Sequence, residues 1–304
     1  MRTILLGPQR RPTLDAVLRA FPEGPFATVT AGWQEREPDD GELQALLGGR
    51  GAGLSLYRRW LDVQERDPEY AVASRALEGV LGELADLYLL RLDYALQAVY
   101  ALQHRTADLS GAAVAEAVAA VRELDAAHLE RVNEVRGEFF ERLRPHDRPV
   151  IAAHRLAVAG LLGPAAAVVV AGGHVGVLAE VLHLFNVAAL LRSPVIAWSA
   201  GAMALTDRIV LFGDRSASGP GHPEVYGSGL SVVRDVVVLP HAKARLLLDD
   251  APRMSVFARR FAPARCVLLE NGTRIDTDTD SDGGWPSGMR VLAPDGHVTT
   301  GEAA

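Results

Sequence analysis

Two hydrophobic periods divide the chain. Residues 3–6 (TILL) and 26–30 (FATVT) are short apolar and β-branched runs, and between them Leu14, Val17, Leu18 and Phe21 recur at helical spacing. This predicts a strand, a helix and a strand. The glycine-rich residues 48–53 then mark a change, and over residues 55–145 strand patterning disappears. Asp67 and Pro68 supply an N-cap acceptor and a first-turn proline for a helix that Val72, Leu77, Val80, Leu81, Leu84 and Leu92 carry toward His104. A second helix starts near Ser110. Its stripe is Val114, Val118, Val121, Leu124, Val132, Val135 and Phe139, and Pro145 ends it. These helices form an antiparallel hairpin inserted into the surrounding pattern. Its exposed ends suit either a homodimer contact or cover for its own body.

From residue 149 strand signals return at 166–170, 194–197, 232–239 and 266–269, with helical stretches between most of them. The expected class is α/β, a three-layer, mainly parallel sheet with helices on both faces, and ligands bound beyond the carboxyl ends of the strands. Residues 273–300 contain an Asp295–Gly296 turn and predict a terminal β-hairpin. The apolar stretch 157–191 is long enough to cross a bilayer, but Gly163, Pro164, Gly172, Gly173 and His174 divide it into helix, strand and helix. A membrane role is not expected. Only three apolar residues, Ile4 to Leu6, precede Gly7, too short a core for a signal peptide. The whole of 1–304 reads as one α/β domain carrying the insertion.

Composition narrows the function. The 304 residues are 49% apolar and 23% charged, with 31 basic against 38 acidic side chains and a formal charge of −7. Lys243 is the only lysine and the arginines are scattered among acids, which disfavours nucleic acid as a partner. The single Cys266 forms no internal disulfide and fits a reducing cytoplasm. Residues 276–284 alternate aspartates as a calcium loop does, yet position twelve from Asp278 is Met289 where a bidentate Glu is needed. Residues 48–53 lack the Lys-Ser/Thr of a phosphate loop. Neither metal nor cofactor is expected.

Residues 194–205, PVIAWSAGAMAL, run a short strand into Ser199 and then into a helical pattern, with small Ala197 and Gly201 two residues to either side. A nucleophile elbow needs that arrangement. The amide of Ala200 becomes an oxyanion donor. The alternative is an ordinary strand-to-helix turn holding a serine. A nucleophilic serine requires a neutral imidazole within reach and a group that orients it.

AWSAGA closely resembles the serine motif of the dipeptidase E and cyanophycinase family of serine peptidases, whose fold is similar to class I glutamine amidotransferases. VVVAGGHVGVLAEVL (168–182) resembles the family's glycine-rich turn, which implies a second oxyanion amide from Gly173, or else Gly172. GSGLSVVRDVVVLPHA (227–242) resembles the approach to the catalytic histidine, which implies His241 as base. LLENGT (268–273) resembles the acidic strand end, where the usual pair of acids is Glu270 and Asn271 here. Glu270 is the expected orienting acid, with Asp214 and Asn271 as alternatives.

The resemblance implies hydrolysis of short peptides containing an aspartyl or isoaspartyl residue through an acyl-enzyme. His174 and Trp198 border the motif segments, and a substrate carboxylate would call for a cation, of which Arg208, Arg215 and Arg245 lie nearest in sequence. The competing reading is a catalytically inactive binding or scaffold protein on the same fold.

Overall fold

The computed structural model describes residues 1–9, 13–21, 23–105, 110–213, 221–278 and 285–301. The chain opens with β1 (Arg2–Leu6), α1 (Leu14–Leu18), β2 (Phe26–Val29), a 3-10 stretch (Ala31–Arg36), α2 (Gly41–Leu46) and β3 (Gly51–Gly53). Three helices follow: α3 (Leu56–Arg66), α4 (Pro68–Gln103) and α5 (Ser110–Leu143). Then come α6 (Pro149–Leu162), β4 (Ala167–Val170), α7 (Val175–Leu184), α8 (Val187–Leu190), β5 (Val195–Trp198) and α9 (Ala200–Ala204). The remainder is β6 (Ile209–Leu211), β7 (Glu224–Gly227), β8 (Val236–Pro240), α10 (Ala242–Arg245), α11 (Ala251–Phe261), β9 (Arg265–Leu269), β10 (Arg274–Asp278), β11 (Arg290–Leu292) and β12 (Val298–Thr300).

The main sheet has the order β10-β1-β5-β4-β2-β3 and is parallel except for β10, which pairs antiparallel with β1. Successive strand residues serve opposite faces, as the pleat demands. Ile4, Leu6, Val169 and Ile196 join Leu14, Val17 and Leu43 in one apolar cluster, whereas Leu5, Val168, Val170 and Ala197 join the cluster containing Leu178 and Leu182 of α7. Both faces are therefore covered by helices, which accounts for near-continuous rather than alternating apolar runs in these strands.

The expected strands do not share one sheet. β8 and β9 are parallel neighbours in a second, four-stranded sheet, β12-β11-β9-β8, and β6 pairs with β7 alone. The run 232–239 contributes a strand only from Val236, because Ser231 and Asp235 take positive φ (53° and 57°) and interrupt it; Val233 makes a single bridge to Thr206. The expected terminal hairpin is present as β11 and β12, while β10, read as part of that tail, instead joins β1.

The hairpin begins as its sequence predicts. Asp67 caps α4 by accepting the Tyr70 amide hydrogen at 3.0 Å, with Pro68 in the first turn. Val114, Val118, Val121, Leu124, Val132 and Phe139 form the buried stripe of α5. On α4 the division differs: Leu92 is buried, but Val72 and Val80 lie on the exposed face with Leu87, Leu90 and Tyr94. The inner face packs on α11 and β7 of the same chain. Among the described residues no helix is long and apolar enough to cross a membrane.

Candidate active site

β4 and β5 are parallel neighbours with Val170 opposite Ala197, so both strands end at the same edge of the sheet. Beyond that edge β4 continues into Ala171, Gly172 and Gly173, and β5 into Ser199. A Cβ on Gly172 would stand 3.0 Å from the Ser199 Cβ and 3.6 Å from the Ala200 nitrogen. The glycine loop thus lies directly against the serine and the first amide of α9.

Ser199 has φ 51° and ψ −123°, a conformation that side-chain-bearing residues rarely hold without strong restraint from their surroundings. Gly201 supplies one restraint. A Cβ there would lie 2.5 Å from the Val170 oxygen and 2.6 Å from that of Ala171, so only glycine lets α9 start this close to β4. Gly173 supplies another: at φ 125° its missing Cβ would overlap the carbonyl of Gly32, which also accepts the His174 amide hydrogen at 2.7 Å. The Ala200 amide is one of the free donors of a helix start, and among the described residues the Gly173 amide donates to no backbone carbonyl. Both amides belong to segments that leave adjacent strand ends beside Ser199.

His241 follows β8 as Glu270 follows β9, with Pro240 opposite Leu269 in register. His241 takes φ 58° and ψ 32°, and its amide donates to the Leu269 oxygen at 3.2 Å. Its carbonyl accepts the Ala244 and Arg245 amide hydrogens at 2.9 and 3.0 Å. The Glu270 carboxylate accepts the Lys243 amide hydrogen at 2.8 Å, and no hydrogen bond joins it to His241 among the described residues. Glu270 therefore caps the turn that carries His241. Asn271 is exposed in the following turn. Asp214 and Arg215 lie outside the described residues. Helix α9 packs against both β5 and β8 and links the serine strand to the histidine strand.

The remaining candidates separate clearly. His174 is exposed and caps α7, its Nδ1 accepting the Val177 amide hydrogen at 3.2 Å, which leaves the proton of the neutral ring on Nε2. Trp198 is 9% exposed and packs in the cluster of Leu6, Leu14 and Ile196. Arg208 is paired with its neighbour Asp207 at 3.5 Å. Arg245 lies over the Phe212 ring at 4.9 Å and has no carboxylate partner among the described residues; burial lowers its pKa. Cys266 is buried, and burial pushes its thiol up to about 12, the behaviour of a small core residue. Asp276 of the aspartate-rich segment is held by Arg2 and Arg274 at 2.9 and 2.8 Å, and residues 279–284 lie outside the described residues.

Two parts of the site have no motif to announce them. Gly32 buttresses the glycine loop from the end of β2, and Gln34 beside it has φ 57° and ψ −124°, nearly the backbone of Ser199. An Ala-Gly pair just beyond an apolar run is the only signal.

No protein-family model matches the chain, and no curated protein matches it. Among solved structures it is similar to a peptidase from an acI-B1 Actinobacterium, at 13% identity and TM-score 0.47, over 100% of this chain and 96% of that one.

Proposed function

We propose that the protein is a serine hydrolase cleaving amide bonds of short peptides, with aspartyl or isoaspartyl dipeptides as the preferred class. The observation that carries this reading is the strained Ser199 backbone, held at a strand end between the Gly172–Gly173 loop and the first amide of α9. A serine without a chemical task has no need of such strain. Ser199 Oγ attacks the amide carbonyl while His241 takes the hydroxyl proton. The oxyanion accepts hydrogen bonds from the Ala200 and Gly173 amides. His241 then returns the proton to the leaving nitrogen as the C–N bond breaks, and an acyl-enzyme remains. Water, deprotonated by His241, cleaves the ester and restores the Ser199 hydroxyl.

Glu270 serves as a positioning residue by fixing the turn of His241 through the Lys243 amide. Arg245, four residues beyond His241 and without an acidic partner among the described residues, is better disposed than Arg208 to receive a substrate carboxylate. The resemblance of AWSAGA to the dipeptidase E and cyanophycinase motif supports the substrate class.

The test is mass-spectrometric hydrolysis of a panel of aspartyl and isoaspartyl dipeptides and short cyanophycin fragments, with Ser199→Ala in parallel. Cleavage by the parent protein alone supports the serine mechanism. Absence of cleavage across the panel favours the inactive scaffold.

A further inference from the structure

A cavity of about 360 Å³ lies between the hairpin and the body, walled by α4, α5, α7 and β7. That volume suits a ligand of dipeptide size. Its apolar walls include Leu81, Ala85, Val132, Phe139 and Val177. Part of the polar lining is without protein partners. Tyr70 and Ser74 are 2% and 4% exposed as residues, and among the described residues their hydroxyls make no hydrogen bond to protein but remain open to the cavity. Glu224, half-buried at the start of β7, makes no ion pair and its carboxylate no hydrogen bond among the described residues. Glu180 accepts one hydrogen bond, from Trp60 Nε1 at 2.8 Å, and among the described residues makes no ion pair, feeling Arg136 only at longer range. With Glu78 the lining holds three carboxylates against one guanidinium, Arg136, and all four act on the Tyr226 hydroxyl at the mouth of α7.

Hydroxyls and carboxylates that face a largely apolar cavity without protein partners of their own are available to a ligand that completes them. We propose that this cavity binds a small amphipathic cation, an ammonium or guanidinium carried on an apolar body, with the charge between Glu180 and Glu224 and the Tyr70 and Ser74 hydroxyls completing the polar contacts. The hairpin thereby supplies half of a ligand site, with His174, the cap of α7, on its body side. The assignment does not rest on Ser199 or on hydrolysis.

Isothermal titration calorimetry on the full chain with 4-phenylbutylamine, 4-phenyl-1-butanol and 4-phenylbutyrate separates charge from bulk, because the three share one apolar body. The amine is expected to bind at least about tenfold more tightly than the alcohol and the carboxylate. Glu180→Gln and Glu224→Gln should each weaken the amine by about tenfold while sparing the alcohol. Ala85→Phe, which fills the cavity from α4, should abolish amine binding with the circular dichroism unchanged. Equal binding of amine and alcohol, preference for 4-phenylbutyrate, amine affinity undiminished in Ala85→Phe, or no binding of the amine at millimolar concentration would each overturn the proposal.

Discussion

Arg260 of α11 grips Asp125 of α5 with both prongs of its guanidinium, Nε to Oδ2 at 2.6 Å and Nη2 to Oδ1 at 2.7 Å, and both residues are almost wholly buried. Nη1 donates to the Pro223 carbonyl and Nη2 also to the Tyr88 hydroxyl. Tyr88 in turn donates to Asp125 at 2.8 Å and accepts the Val225 amide hydrogen. One pair thus ties both hairpin helices to α11 and β7. Removing one partner strands the other charge away from water, so Asp125→Ala should cost about 3–5 kcal/mol. Urea unfolding checks this. Replacing both partners, Asp125→Leu with Arg260→Met, should recover most of the loss, since the desolvation cost goes with the charges.

Ser199 is held at φ 51°, where glycine is at ease and serine is not. Ser199→Gly is expected to raise stability by about 1 kcal/mol while abolishing turnover. Thermal unfolding read beside the dipeptide assay tests both halves. A fall in midpoint would mean that the elbow stores no strain.

Two substitutions at Glu270 distinguish a role through the backbone from a role on the imidazole. Glu270→Gln keeps an oxygen for the Lys243 amide and should retain kcat within about tenfold, whereas Glu270→Ala releases the His241 turn and should lose about a hundredfold. Comparable losses from both would assign the charge of Glu270 directly to His241.

Burial raises the pKa of Glu180, against the lowering effect of the Trp60 hydrogen bond. A folded-state pKa above the unfolded one gives a contribution complete below the unfolded value and lost as pH rises through the folded value. Stability should therefore decline on the alkaline side of the ordinary glutamate range. Glu180→Gln removes that decline, keeps the Trp60 bond and should be about 1 kcal/mol more stable at neutral pH. Melting midpoints across a pH series, parent against variant, should diverge as pH rises.

Legibility in the sequence followed the range of the forces involved. Asp67 and Pro68 announced α4 because capping is settled within one turn, and the three- and four-residue steps from Val114 to Phe139 announced the buried face of α5 because a helix repeats its own geometry. The strand-to-helix turn at Ser199 was legible for the same reason: Ala197, Ser199 and Gly201 are local constraints. The division into separate sheets was not, since nothing in the run at 232–239 signals positive φ at Ser231 and Asp235. Gly32 was likewise hidden, because its role depends on Gly173, far away in sequence and in contact only through the alignment of β2 with β4. The cavity is assembled from four elements, and Glu78 and Glu180 look in the sequence like ordinary helix-surface charges.

β1 lies between β5 and β10, with Leu6 paired to both Trp198 and Arg274. During synthesis β1 thus waits for two strands that follow it in the chain. Until residues 195–198 emerge, β1 has neither neighbour, and until residues 274–278 emerge one of its flanks remains an open edge able to recruit other chains. A product shortened before β10 would keep every residue proposed for catalysis and lose the strand that covers β1.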